Sequence, residues 1–334
     1  MEINYFWETL EVIWNNPKLV FLNNESIQEI AKKFATQEFK IPAWREGIFP
    51  KEPREFVEFI GVANSLNFCF TNPFNPSDGK YFFIWRDKKW TGSLGMAAAL
   101  RAALENGKLV LDCKFLRNLT KRDVVDIFCV YSDIPLVDAR WEFLQQVGRN
   151  LSINRIDGFW DIFKLGRWRA FDSNGFLGII SILSNLLPCF NDYSFHEESR
   201  KLIFFYKRAQ LLLMVYQGRA LTEPQNFPLI ADYESLGPAP DYALPKILKH
   251  LGILVYANKL AEKINNRKII LADSLEEQEI RAQTVNAMIR LRDEINIVRG
   301  DNRKINMLEL DYFMWSLSKD TESIPHHLTL TVAY

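Results

Sequence analysis

A chain of 334 residues with 48% hydrophobic and 25% charged side chains is long enough to bury a substantial core, and it reads as one large globular unit or two lobes. Its 41 basic side chains are matched by 41 acidic ones, and a net charge of zero argues against the broad cationic footprint on which polynucleotide binding rests. Cys69, Cys113, Cys129 and Cys189 are far apart with no Cys-x-x-Cys step, which excludes a zinc ribbon or disulfide framework and points to buried thiols in a reducing compartment.

From Met1 to Ala63 the pattern is helical: Phe6, Leu10 and Ile13 share a face, and Ser26 is expected to cap IQEIAKKFA. The opening MEINYFWETLEVIW carries glutamates and no basic region, so it is not a signal peptide, and no apolar run approaches the ~20 residues that cross a bilayer. A cytoplasmic protein with no membrane partner is the expectation. KIPAWREGIFPKEP is a proline-punctuated loop, a surface wrap or a lid. VEFIGVANSLNFCF then sets Asn67 and Phe68 in apolar surroundings, where Asn67 either satisfies backbone groups or lines a pocket.

YFFIW and KKWTG, flanking Arg86 and Asp87, give the chain's best β-hairpin signal, near residues 80–92. The alanine-rich WTGSLGMAAALRAALENG is a helix; Gly92 and Gly95 match neither nucleotide-binding fingerprint. Thr120 and Asp123 form a variant capping box, and DARWEFLQQVG is a helix expected to stop at Gly148. FWDIFKLGRWRAFDSNGFLGIISILSNLLPCF should add two helices; Lys164, Arg167 and Arg169 among aromatics also suit a membrane surface, though core packing is preferred.

In KLIFFYKRAQLLLMVYQG, Lys207 follows aromatics and precedes an apolar helix, so its ammonium either snorkels to solvent or meets an anion inside. In DYALPKILKHLG, Leu244, Ile247, Leu248 and Leu251 form a helical stripe, Pro245 suits the first turn and Gly252 the stop. Asp241 therefore sits just ahead of a helix, facing unpaired backbone N–H groups that fix its direction. Read alone, it is either an N-cap or a carboxylate aimed at chemistry. EEQEIRAQTVNAMIRLRDEINIVR is a long helix whose charges form a mostly solvated face. In LELDYFMWSLSKD, Asp311 and Trp315 stand four apart, an apolar plane beside a carboxylate that could stack a heterocycle and accept its exocyclic N–H groups; a half-buried tryptophan with an incidental aspartate is the plainer alternative. IPHHLTLTVAY alternates through Leu328–Val332 like a strand and places Tyr334 at its end. Adjacent His326 and His327 point differently and have no carboxylate close in sequence, so a phosphate contact by His327 is preferred to a metal site.

DYALPKILKHLGIL resembles the catalytic segment of the helix-hairpin-helix DNA glycosylases in its aspartate, its helix and its closing Leu-Gly, and YKRAQLLLMVY resembles an earlier helix of that superfamily. The phosphate-holding hairpin is absent; NFPLIADYESLGPAP stands there instead, which argues against duplex DNA as substrate. A closer resemblance covers nearly the whole chain. SLNFCF, WTG followed by AAAL, FYKRAQ, DYALPKILKHLG, EQEIRA, LDYFMW and IPHH are similar, in order, to the queuosine salvage family. The departures are Phe-Ala-Asp-Tyr of the family becoming APDY, and an aromatic becoming Leu94.

That resemblance implies a mainly α (α+β) fold, glycosylase-like, with a small β-hairpin: an N-terminal lobe over 1–200, a second over 201–334, and the site in the cleft between them. It implies hydrolysis of queuosine 5′-monophosphate to queuine, with Asp241 catalytic and Lys207, Asn67, Phe68, Tyr242, Asp311, Trp315, His327 and Tyr334 binding substrate. Lys207 would be the cation opposite Asp241 or the phosphate. No metal and no cofactor are expected, the partner is a small molecule, and a monomer is favoured over an oligomer. A DNA-repair-type N-glycosylase and a noncatalytic nucleotide-binding protein stand as the alternatives.

Overall fold

Caps and apolar stripes set the elements of this chain, described by a computed structural model over residues 6–321 and 324–334. Met1–Tyr5, which the sequence joins to the first helix, lie outside the described residues. Phe6–Leu10 form a 3₁₀ turn running into α1 (Glu11–Trp14), followed by β1 (Val20–Leu22), α2 (Asn24–Phe34) and α3 (Pro53–Ser65). The expected hairpin is β2 (Phe82–Trp85) and β3 (Lys88–Thr91), leading into α4 (Gly92–Glu105), α5 (Cys113–Asn118), α6 (Lys121–Phe128) and α7 (Val137–Ile153). Next come α8 (Phe159–Leu165), α9 (Ile179–Leu186), β4 (Tyr193–His196), β5 (Lys201–Phe204) and α10 (Lys207–Thr222). The remainder is α11 (Ala243–His250), β6 (Leu254–Tyr256), α12 (Asn258–Asn265), α13 (Leu275–Arg299) and α14 (Met307–Lys319). The fold is mainly α, and its strands pair only two by two: β1 with β6, β2 with β3, β4 with β5, all antiparallel. No helix among the described residues is long and apolar enough to cross a membrane.

Several local expectations are corrected. The cap of α2 is Asn23, whose side chain accepts the Glu25 and Ser26 amides at 3.1 and 3.2 Å, three residues ahead of the expected Ser26. Gly148 does not stop α7; a Cβ there would lie 2.4 Å from the Arg117 amide nitrogen and 2.5 Å from the Cys113 carbonyl, so the glycine permits close approach of α5. The tail makes one isolated bridge, Ile269 to Leu328, in place of a strand. The Thr120–Asp123 capping box forms in full.

Two apolar clusters fill the interior. The first gathers α3, α4, α7, α8 and α10, with Phe56, Phe59, Leu100, Leu144, Phe163 and Leu212 buried. The second gathers α2, α11, α13 and α14 around Ile27, Leu248, Met288 and Leu310. Chain segments cross between them. Residues 20–39, from the N-terminal end, pack in the second cluster, while α10 packs in the first. Leu10, Ile13, Ile203, Phe205, Ala282 and Val285 form a third, bridging cluster.

The first turns of α13 depart from the solvated face expected of them, because Glu277, Glu279 and Arg281 are buried. Glu279 is satisfied by backbone: its carboxylate accepts the amides of Lys18 at 3.0 Å, Leu19 at 2.7 Å and Val20 at 2.9 Å. Hydrogen bonds to a buried charge are among the strong ones. Glu279→Ala, which orphans these amides, should cost about 3 kcal/mol of unfolding free energy. Urea unfolding checks this, and a midpoint unchanged from wild type would contradict it.

Candidate active site

The site begins where β5 runs into α10. Tyr206 turns with a left-handed φ of 46°, and Lys207, which opens the helix, is 2% exposed, so its ammonium lies inside and does not snorkel to solvent. Asp192 fixes the turn by accepting the Lys207 amide at 3.0 Å, and Arg281 of α13 grips both oxygens of Asp192 at 3.0 and 2.7 Å. Burial opposes the Arg281 charge, but Asp192 and Glu277 outweigh it and hold the guanidinium firmly protonated. Glu277, 3.8 Å from Arg281, is pushed up to about 7 by burial against the pull of that cation. The Lys207 ammonium donates to the Asn67 carbonyl at 3.1 Å. Burial brings it down to about 8; the Asp241 carboxylate works the other way, and Arg208 adds to the fall.

Asp241 stands two residues ahead of α11, its Oδ1 accepting the Ala243 amide at 2.7 Å, as the sequence led one to expect of a carboxylate at a helix start. The loop leading to it is held from two sides. Gln210 of α10 accepts the Gly237 amide at 2.7 Å and donates to the Pro238 carbonyl at 3.2 Å. Asp311 of α14 accepts the Ala239 amide at 2.9 Å. Burial raises the Asp311 carboxyl to about 7 against the stabilising Ala239 bond; nearby Asp241 raises it further and Lys207 lowers it.

These groups meet at two adjoining cavities. One, of about 110 Å³, is walled by Ile41, Trp44, Phe49, Met214, Val215 and Leu308 and receives Asp311, Tyr312 and Trp315. The other, of about 570 Å³, is lined by Lys80, Lys89, Lys207, Lys246, Arg267 and Lys319, together with Tyr242, His326 and Tyr334. Asn67, Ser93, Leu94, Asp241 and Trp315 line both, so they form the seam between an apolar and a cationic compartment. The Tyr312 and Trp315 rings lie 5.5 Å apart.

Two residues expected to contact substrate lie outside the linings of both cavities. Phe68 lines neither cavity; it is fully buried, 5.6 Å from the Phe143 ring with the Arg140 guanidinium 4.3 Å from its centroid. His327 is likewise behind the wall, its Nε2 paired with the Tyr334 hydroxyl at 3.0 Å. Burial pulls that imidazole down to about 3. His326 faces the cationic cleft instead, and burial lowers it to about 4 while its Nδ1 donates to the His327 carbonyl at 2.6 Å. Tyr242 lines the cleft and donates to the Thr329 carbonyl at 2.6 Å; the Tyr334 ring sits 4.7 Å from it, and the Tyr334 carbonyl accepts the Cys69 amide at 2.8 Å. Sequence reasoning missed Asp192, Gln210, Lys246, Arg267 and Tyr312. Gln210, Lys246 and Tyr312 lie inside the FYKRAQ, DYALPKILKHLG and LDYFMW blocks, so those blocks were the signal for three of them. Among the described residues no group of three or more His, Cys, Asp and Glu could hold a metal ion.

The queuosine salvage protein family matches residues 48–334 of this chain. A relative from Sphaerobacter thermophilus named queuosine 5′-phosphate N-glycosylase/hydrolase is 28% identical, covering 94% of this chain and 93% of its own length. Relatives of the same name from Bos taurus and Dictyostelium discoideum are each 27% identical, covering 98% of this chain and 98% of theirs. With residues of several of those sequence blocks lining the two cavities, and a family match over residues 48–334, the chain belongs to the queuosine salvage protein family.

Proposed function

We propose that this protein is a hydrolase that cleaves the N-glycosidic bond of queuosine 5′-monophosphate and releases queuine, the base salvaged for tRNA modification. The observation that carries the reading is the placement of Asp241 on the seam: the base belongs in the apolar pocket, the phosphate in the cationic cleft, and the ribose between them at the carboxylate. Glycosidic cleavage develops positive charge on the sugar, which a fixed carboxylate stabilises, or whose attacking water it deprotonates. With Oδ1 anchored on Ala243, Oδ2 of Asp241 is the oxygen left for that work.

The base is a 7-deazaguanine, in which carbon replaces the N7 that purines protonate as they leave. Help must come from elsewhere on the ring. The Tyr312 and Trp315 rings offer stacking faces, and the second oxygen of Asp311 can accept an exocyclic N–H or, protonated, donate to the base. Lys207 lines the same cleft as Asp241, and Lys246, Arg267 and Lys319 add cations there for the phosphate. In this reading the substrate is a free mononucleotide and the protein a cytoplasmic monomer; four free cysteines suit a reducing compartment.

Incubation with queuosine 5′-monophosphate and, separately, its dephosphorylated nucleoside, with chromatography of the free base, tests the reading. Release should be faster from the phosphate form, and no release from either would overturn the proposal. Asp241→Asn should lose about 10²–10³-fold in kcat with substrate binding largely kept; residual turnover within about tenfold of wild type is too much for a residue in this role.

Asp311 generates a separate expectation. Its folded value of about 7 lies above the ordinary 3.8, so the folded state binds the proton more tightly and its contribution to stability falls as pH rises between those values. Asp311→Asn keeps an acceptor for Ala239 without the charge, and should lose less stability than wild type between about pH 4 and pH 7. Glu277 titrates in the same direction in both proteins and so cancels. Urea midpoints at the two pH values measure this; equal declines would show that Asp311 does not titrate in that window.

A further inference from the structure

Arg140 of α7 is fully buried, and among the described residues it makes no ion pair with a carboxylate. A guanidinium in that position is costly unless its donors are used. Both terminal nitrogens are used on one loop. Nη1 donates to the Leu66 carbonyl, Nη2 to the Phe68 carbonyl at 2.5 Å and the Cys69 carbonyl at 3.0 Å, and Nε to Pro135 at 2.9 Å. The cation also lies 4.3 Å from the Phe68 centroid and 5.3 Å from that of Phe70. Arg208 adds a bond to the Ser65 carbonyl at 2.9 Å just upstream, and Cys69 takes a left-handed φ of 41°. One carbonyl in this run goes elsewhere: that of Asn67, which accepts from Lys207, while the Asn67 side chain lines both cavities.

We propose that Arg140 is a positioning residue for the reaction: by taking the carbonyls of Leu66, Phe68 and Cys69, it turns the intervening Asn67 toward the Lys207 ammonium and the seam. The fork geometry matters, because a single ammonium cannot meet acceptors spread over this loop as a planar guanidinium does. Burial draws the Arg140 cation down to about 9, with Cys69 and Tyr81 supporting the charge, and so it stays protonated at neutral pH.

This inference rests on the reading of Asp241 and Lys207 as the reacting centre, and the two fail differently. If wild-type protein releases no base from queuosine 5′-monophosphate, that reading falls; if wild type turns over and Arg140 variants do so equally, the inference falls. In folded Arg140→Ala, kcat should drop by about tenfold or more with KM changed by less than about threefold, as expected when a reacting group is misplaced rather than a binding contact removed. Millimolar guanidinium, small enough to enter the vacated space, should restore part of the lost kcat; a loss that guanidinium does not restore overturns the proposal. If Arg140→Ala does not fold, Arg140→Lys is read in its place. There a fall in kcat supports the positioning role, and wild-type kcat overturns it.

Discussion

The paired charges of Asp192 and Arg281 are what the rest of this architecture leans on. Arg281 belongs to the long C-terminal helix and Asp192 to the turn before the second hairpin, yet the bidentate contact joins them at full burial. The same carboxylate accepts the Lys207 amide, so the position of the lysine is inherited from a bond made by a different part of the chain. Breaking such a pair by removing one partner leaves an uncompensated buried charge, about 3–5 kcal/mol in comparable cases. The Phe205 and Tyr334 ring centroids lie 3.8 and 4.7 Å from the guanidinium and add cation–π contacts to the pair.

Around that pair the molecule sorts its polar and apolar work spatially. Apolar walls from the first cluster make a small recess, a cationic rim opens beside it, and one carboxylate sits where they touch. Backbone amides carry much of the precision: Ala243 on Asp241, Ala239 on Asp311, Gly237 on Gln210. A side chain held by an amide of the adjoining loop moves with that loop, so α10, α11 and α14 keep their relative registry at the site.

Periodicity carried the helices well. The α11 stripe, the α13 core face and the β2–β3 hairpin all follow from apolar spacing within a short window, and Asp241 could be placed ahead of its helix for that reason. What stayed hidden depends on distant residues. β1 and β6 are three residues each and pair only with one another, so neither carries a strand pattern of its own. The buried ends of Glu277, Glu279 and Arg281 looked like a solvated face, since their partners lie in the turn at Asp192 and the strand at Val20. His327 and Phe68 were read as contacts because they sit within informative blocks; only packing tells that Tyr242 and Arg140 stand between them and the cavities or claim their surfaces. Which apolar cluster a helix joins is hidden for the same reason, since local pattern does not say it.

The clasp of Glu279 on the Lys18–Val20 amides joins segments 259 residues apart at Val20, and the β1–β6 pairing spans nearly as far. Loop closure over such distances must be met before the contacts repay it. β1 and α2 are synthesised well before α11, α13 and α14, the helices whose residues cover Ile27, Ile30 and Ala31 in the folded chain. Biosynthesis of this protein therefore leaves an early, sticky segment in search of a late one.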